Sequence, residues 1–212
     1  LFAIKKEKLT AEPVTLDLPR RTTTALAVKP GISTDVKVYV PSDTKRHVLR
    51  SYSLSHIEPY INMQMLLGHH LGVKGKIANL LENKDEKAVK VKEMVDRLLL
   101  QAKSNQWITP AAVYQFFPAQ SDGDKVYIYD PNNMGKTIET FTFPRQDSAP
   151  YLCLADYLKP VDSGLMDYVG FFTVTAGRGI REIADQLKKE GRFLECHALQ
   201  SLALESAEGF AE

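Results

Sequence analysis

Cysteine is nearly absent: Cys153 and Cys196 are the only two in 212 residues. One bridge could form but a disulfide framework could not, and a reducing cytoplasm is the expected location. No stretch approaches the run of about 18 apolar residues that a bilayer span requires, so no membrane partner is expected. The opening Leu1-Phe2-Ala3-Ile4-Lys5-Lys6 carries no secretory pattern. Charge of one sign is not in excess either, with 27 Lys and Arg against 26 Asp and Glu and a formal net charge of +1. The balance hides a gradient, because basic residues dominate positions 1–50 and acidic residues dominate positions 151–212. The basic stretches are short, and Arg20-Arg21 and Lys45-Arg46 lie among Thr, Pro and Ser with no aromatic platform, so no nucleic acid is expected as a partner. They read as a solvated lead-in or as a dock for an acidic protein surface.

Most catalytic signatures are also missing. There is no Gly-x-x-x-x-Gly-Lys-Ser/Thr, no full Gly-x-Gly-x-x-Gly and no Gly-x-Ser-x-Gly. Gly177-Arg178-Gly179 lies between a strand pattern and a helix pattern, where it makes either a tight turn or an anion contact. His69-His70 and Cys196-His197 are adjacent pairs whose side chains diverge, so each reads as structural before it reads as a metal site. Cys153 sits in an apolar run and behaves as a small buried hydrophobe. Asp156 and Asp167 flank two apolar segments and could serve as an acid–base pair or as turn caps. No complete catalytic set emerges, and no catalytic or metal-ligating residue is assigned.

What the chain does contain is ordinary globular material, 44% hydrophobic and 25% charged, at a length suited to one domain with a lead-in. Residues 1–50 are short apolar runs broken by prolines, with Thr22 to Val28 and Val36 to Val40 as strand candidates. A helix is expected to start close to Pro59, and the clearest helix covers 84–104, where Ala88, Val91, Val95, Leu98, Leu99 and Ala102 recur at three- and four-residue spacing behind Asn83 or Asp85 as cap. Ala111–Phe117, Val126–Tyr129 and Ile138–Phe143 are separated by short turns and predict an antiparallel meander. Tyr151–Tyr157 and Asp167–Gly177 are further strand candidates, and helices are expected over about 179–189 and from about Arg192 onward. In the last helix Phe193, Cys196, Leu199, Ala203, Ala207 and Phe210 form an apolar stripe, with Glu205, Glu208 and Glu212 on another face. That pattern has not ended at Glu212, and the expectation is a piece of a longer chain. The fold class predicted is α+β.

Three separated motifs carry a resemblance to a known family. They are Pro59-Tyr60-Ile61-Asn62 with Leu71-Gly72-Val73-Lys74-Gly75, then Tyr-Gln-Phe-Phe-Pro-Ala-Gln (114–120) with Asp122-Gly123-Asp124, then Tyr-Leu-Cys-Leu-Ala-Asp-Tyr (151–157) with Asp-Tyr-Val-Gly-Phe-Phe-Thr-Val-Thr-Ala-Gly (167–177). In this order and spacing the chain resembles the activation domain of cobalamin-dependent methionine synthase, from about residue 55 onward. The resemblance implies a bent, mainly antiparallel sheet with flanking helices in a C shape. It divides the chain into an arm, 1–50, leading from a preceding cobalamin-binding domain, and the activation domain, 51–212, incomplete at its C-terminus.

It also implies a function. Methionine synthase passes a methyl group from methyltetrahydrofolate to homocysteine through cobalamin, which is occasionally oxidised to an inert state. The activation domain binds S-adenosylmethionine, and with an electron from a flavodoxin-type donor the cobalamin is remethylated. The implied cofactors are S-adenosylmethionine and cobalamin, the latter held mainly by another domain of the same parent chain. Asn62 falls where the family has an aspartate against the ligand's amino group, an amide giving up the charge assistance; a helix cap is its other reading. Glu208 aligns with a family glutamate near the site and is otherwise a solvated helical carboxylate. The family's Arg-x-x-x-Gly-Tyr motif occurs nowhere in the 212 residues, so weak or no S-adenosylmethionine binding by this chain alone is expected. The competing reading is an activation-like interaction module that docks a corrinoid protein without binding S-adenosylmethionine. A hydrolase built on Asp156 and Asp167 is a third.

Overall fold

The structure, a computed structural model, describes residues 32–33 and 35–212. Its sheet has five strands among the described residues: β1 (His47–Leu49), β2 (Ala111–Asp122), β3 (Lys125–Asp130), β4 (Asn133–Thr142) and β5 (Asp167–Thr175). Every ladder is antiparallel. β2 is the hub. Along one edge it pairs with β5 from Ala111↔Thr175 to Ala119↔Asp167. It also meets β1 at 112–114 and β3 at 119–122. Pro118 falls between those two stretches, which is how a residue without an N–H is tolerated inside a long strand. The meander β2–β3–β4 is the one predicted from the turns at Gly123 and at 130–133, and the open antiparallel sheet with flanking helices is the α+β architecture read from the sequence.

Helices cover the rest: α1 (Leu54–Ile57), α2 (Ile77–Glu82), α3 (Glu86–Ser104), α4 (Ile180–Lys189) and α5 (Phe193–Ala211), with 3-10 turns at Glu58–Tyr60, Leu154–Tyr157 and Val161–Ser163 and a π-helix at Gln64–His70. Pro59 stands in the first turn of the first 3-10 segment, where its missing donor costs nothing. In α3 the Asp85 side chain accepts a hydrogen bond from Ala88 N at 2.9 Å, and Ala88, Val95, Leu98, Leu99 and Ala102 are buried as their spacing requires. They join Leu54, Ile57, Leu66, Leu67, Ala198 and Leu202 in the main core. A second, smaller core forms on one face of the sheet from Ala119, Val126, Ile128, Cys153 and Ala155.

Three expectations are corrected. Tyr151–Tyr157 is not a strand, because Leu154–Tyr157 is a 3-10 turn with Asp156 N bonded to Cys153 O and Leu158 N to Ala155 O. A short apolar run does not distinguish a strand from a coil pressed on a core; here Cys153 and Ala155 are inserted into the second core instead of pairing. Val36–Val40 alternates but forms no strand, and Val36, Tyr39 and Val40 are exposed at 56%, 81% and 71%, with no ladder partner among the described residues to make the alternation useful. The candidate at Thr22–Val28 lies outside the described residues. The third correction concerns part of α5: Leu199 and Ala203 of the expected stripe are buried, but Phe193 is exposed, and Ala198, Ser201, Leu202, Glu205, Ser206 and Gly209 are buried as well. This helix touches α3, α4, β5 and the 58–60 turn, so its buried side is wider than one stripe and mixes small residues with Leu199 and Leu202.

Gly209 makes the tightest of these contacts. A Cβ there would stand 2.9 Å from the carbonyl oxygen of Tyr60 and 3.0 Å from its carbonyl carbon. Gly177, with φ +106°, is similarly confined, since a Cβ would lie 2.3 Å from Thr109 Oγ1.

Two outcomes are expected in urea unfolding. Gly209→Ala lowers stability by about 1–3 kcal/mol through overpacking, opposite in sign to the gain of up to about 1 kcal/mol that the change brings in an unobstructed helix; a gain would disprove the close approach. Asp85→Ala costs about 1 kcal/mol through loss of the cap.

Candidate functional site

Strand periodicity decides which side chains share the open face of the sheet. Tyr114 is opposite Phe172, Phe116 opposite Gly170 and Ala112 opposite Val174, while β1 adds His47 opposite Tyr114 and Leu49 opposite Ala112. Alternation puts all of them on one side. Gly170 leaves room for the Phe116 ring, whose Cε1 would meet a Cβ at 3.0 Å. The His47 and Tyr114 rings stack at 4.8 Å, and Tyr114 meets Phe116 edge-on at 6.0 Å. The second core covers the other face around Ala119, and this aromatic face is open to solvent, with Phe172 60% exposed. The end of α5 closes one side of it. Phe210 and Ala211 line a cavity of about 590 Å³ together with Leu49, Tyr114, Phe116 and Phe172, and Phe210 is fixed by stacking on Tyr52 at 4.8 Å.

Asn62 and Glu208 are not among the residues that line this cavity. Each is one residue from the point where Gly209 presses on Tyr60 and Ile61, so the fold brings the two segments carrying them together. Both residues are exposed. Asn62 has the cap geometry of its alternative reading, its Oδ1 accepting from Met65 N at 3.0 Å and its carbonyl from Leu66 N at 2.9 Å. The π-helix that follows is held by Gln64, whose side chain donates to Gly75 O and accepts from Ile77 N. Such helices often mark functional sites.

Sequence reasoning missed Glu205. Grouped with Glu208 and Glu212 on a face away from the apolar stripe, it is instead 1% exposed, with Oε1 2.9 Å from Nε2 of His70. The carbonyl of His70 accepts from Nε2 of His197 at 2.9 Å. The available signal was the helical frame: Ala198, Leu202, Glu205 and Gly209 follow at steps of four, three and four, a buried stripe with a carboxylate in it. His70 is thus committed to Glu205, and His69 is exposed beside it with ring centroids 5.4 Å apart. Among the described residues no group of three or more His, Cys, Asp or Glu is arranged to hold a metal ion.

Asp156 and Asp167 do reach one wall, that of a cavity of about 600 Å³ bordered by residues 36–39. Each is already engaged. Arg145 donates to both oxygens of Asp156 at 2.5 Å, and that hydrogen-bonded carboxylate pushes the guanidinium pKa further up. Asp167 accepts from Lys159 N at 3.0 Å and from Tyr168 N at 2.8 Å. These are the structural roles, with neither carboxylate placed against a nucleophile. Gly177 and Gly179 have φ of +106° and +98°, a tight turn into α4. Cys153 is buried and its Sγ donates to Phe143 O at 3.2 Å. No described helix is long and apolar enough to cross a membrane.

Residues 53–212 match the family model described as vitamin B12 dependent methionine synthase, activation domain. Among solved structures, one reported as the MetH reactivation domain bound to AdoHcy superimposes with a TM-score of 0.72 at 26% identity, covering 82% of this chain and 55% of that one. The chain therefore spans about half the length of that solved relative. With a matching family model over most of its length and the same fold, the chain belongs to the family of activation domains of vitamin B12 dependent methionine synthase.

Proposed function

We propose that this chain is an S-adenosylmethionine-binding activation module that contributes to the reductive remethylation of cobalamin. The observation that carries the reading is the crossing of α5 over the 60–62 segment, at the rim of an open aromatic face, within a fold whose solved relative is reported with AdoHcy. A nucleoside with an amino-acid tail needs an apolar surface for its base and polar groups at fixed places for its ends. Tyr114, Phe116 and Phe172 supply the first, and Asn62 and Glu208 are the groups proposed for the second. An amide oxygen accepts from the ligand's ammonium, and a carboxylate attracts the same cationic end or orients a water toward it.

Cobalamin, in this reading, stays on a separate domain of the same protein and supplies the methyl-accepting metal centre. The aromatic face, too apolar to be left open without a reason, is the surface proposed to receive it, and a flavodoxin-type protein is the proposed electron source. The residues present fit such a docking partner through Phe172 and the stacked His47 and Tyr114 rings. This chain's own proposed contribution is to bind and orient.

Calorimetry with S-adenosylmethionine on the intact protein tests the assignment. Asn62→Asp retains the cap and adds charge assistance, so affinity is expected to rise about tenfold, and Glu208→Gln is expected to lower it. Absence of binding in the wild type would favour the docking module that takes no nucleoside ligand. Unchanged binding in Asn62→Asp would remove Asn62 from the ligand's surroundings.

A further inference from the structure

We propose that Glu205 and His70 are positioning residues, a buried hydrogen-bonded pair that sets the spacing between the segment carrying Asn62 and the helical turn carrying Glu208. The inference rests on the ligand reading above and adds two residues to it. Glu205 is 1% exposed, and an ionisable side chain so deep in a core needs a partner to hold it there. Its Oε1 accepts from Nε2 of His70 at 2.9 Å, while its Oε2 is buried with no hydrogen-bond partner among the described residues. His70 is thus the group on which the carboxylate depends.

The grip on residue 70 is double. Besides the imidazole contact, the His70 carbonyl accepts from His197 Nε2 at 2.9 Å. Positions 197 and 205 are just over two turns apart on α5, so the helix holds the end of the π-helix at two points along its length. The start of that π-helix is capped by Asn62. Glu208 lies three residues after Glu205, the next position on the same side of α5. One rigid helix and one short π-helix therefore connect the pair to both candidate ligand residues.

Direction is what the pair adds to packing. The contact of Gly209 with Tyr60 is backbone against backbone, and van der Waals contact by itself leaves freedom of direction. A hydrogen bond of fixed length and angle removes that freedom. An apolar pair of similar volume would fill the same space with equal or better stability and would leave the register unset. Retention of a buried carboxylate at this place is accounted for by geometry more readily than by stability.

The test separates these two roles. His70→Gln keeps a side-chain N–H near the position of Nε2, His70→Phe removes it, and His70→Phe combined with Glu205→Leu replaces the pair with apolar side chains. S-adenosylmethionine affinity is measured by calorimetry on the intact protein, with thermal unfolding alongside. His70→Gln is expected to bind within about threefold of the wild type, and His70→Phe about tenfold more weakly. The double variant is expected to regain wild-type thermal stability and to remain about tenfold weaker in binding. Recovery of affinity together with stability in the double variant overturns the inference, as does undiminished affinity in His70→Phe while the wild type binds. A wild type that does not bind S-adenosylmethionine overturns the ligand reading, and this inference with it.

Discussion

The crossing of α5 over Tyr60 and Ile61 is the contact on which the arrangement of this domain depends. A helix can lie this close to another segment's backbone only where it has no side chain, and Gly209 provides that place. Ala198, Ser201 and Ser206 extend the same economy of size along the helix, all buried. The consequence reaches both ends of the 58–70 region. Its start is pressed by Gly209, and its end is hydrogen-bonded by Glu205 and His197. Residues 60–70 are therefore held by one helix along most of its length, and the exposed groups at their edge inherit that fixity.

The sheet complements this with an asymmetry between its faces. β2 runs long enough to hold β5, β1 and β3 together, and alternation sends its residues to two different environments. Ala119 is buried in the second core with Val126 and Ile128 and is covered by Cys153 and Ala155. Tyr114 and Phe116 face the other way into the open cavity. Burial on one side anchors the strands, and the aromatic side is then rigid without needing a cover. Phe210 joins the two parts, because it belongs to α5 yet stacks on Tyr52 and borders the sheet's open face.

Much of this was legible in the sequence where a single physical signal dominated. α3 declares itself through an Asp85 cap and a one-sided stripe, and both are realised. The meander is spelled by turns between alternating runs, and the structure pairs those runs in order. Where two signals compete, residue pattern alone was insufficient. Tyr151–Tyr157 has strand composition, but the backbone of this stretch turns back on itself so that Cys153 and Ala155 fill a core. Val36–Val40 has strand alternation without a neighbour among the described residues to pair with. β1 is only three residues long, too short for periodicity to register, and is made a strand by β2 beside it. Glu205 was misread because a carboxylate signals solvent, and only its partner 135 residues away in sequence reverses that meaning.

Asn62 shows why a local reading and a functional reading need not exclude each other. Its Oδ1 accepts one hydrogen bond from Met65 N, and an amide oxygen has a second lone pair to offer. The cap holds the side chain in one orientation, which lowers the entropic cost that an exposed amide would meet on gripping a ligand. The same bond that makes Asn62 look merely structural thus prepares it as an acceptor. What the cap cannot supply is charge, and in the proposed ligand contact an amide would trade affinity for a neutral, less strongly solvated group. In the proposed ligand reading, selection of the ligand falls more heavily on shape, on the aromatic face and on the spacing that α5 imposes across the crossing at Gly209.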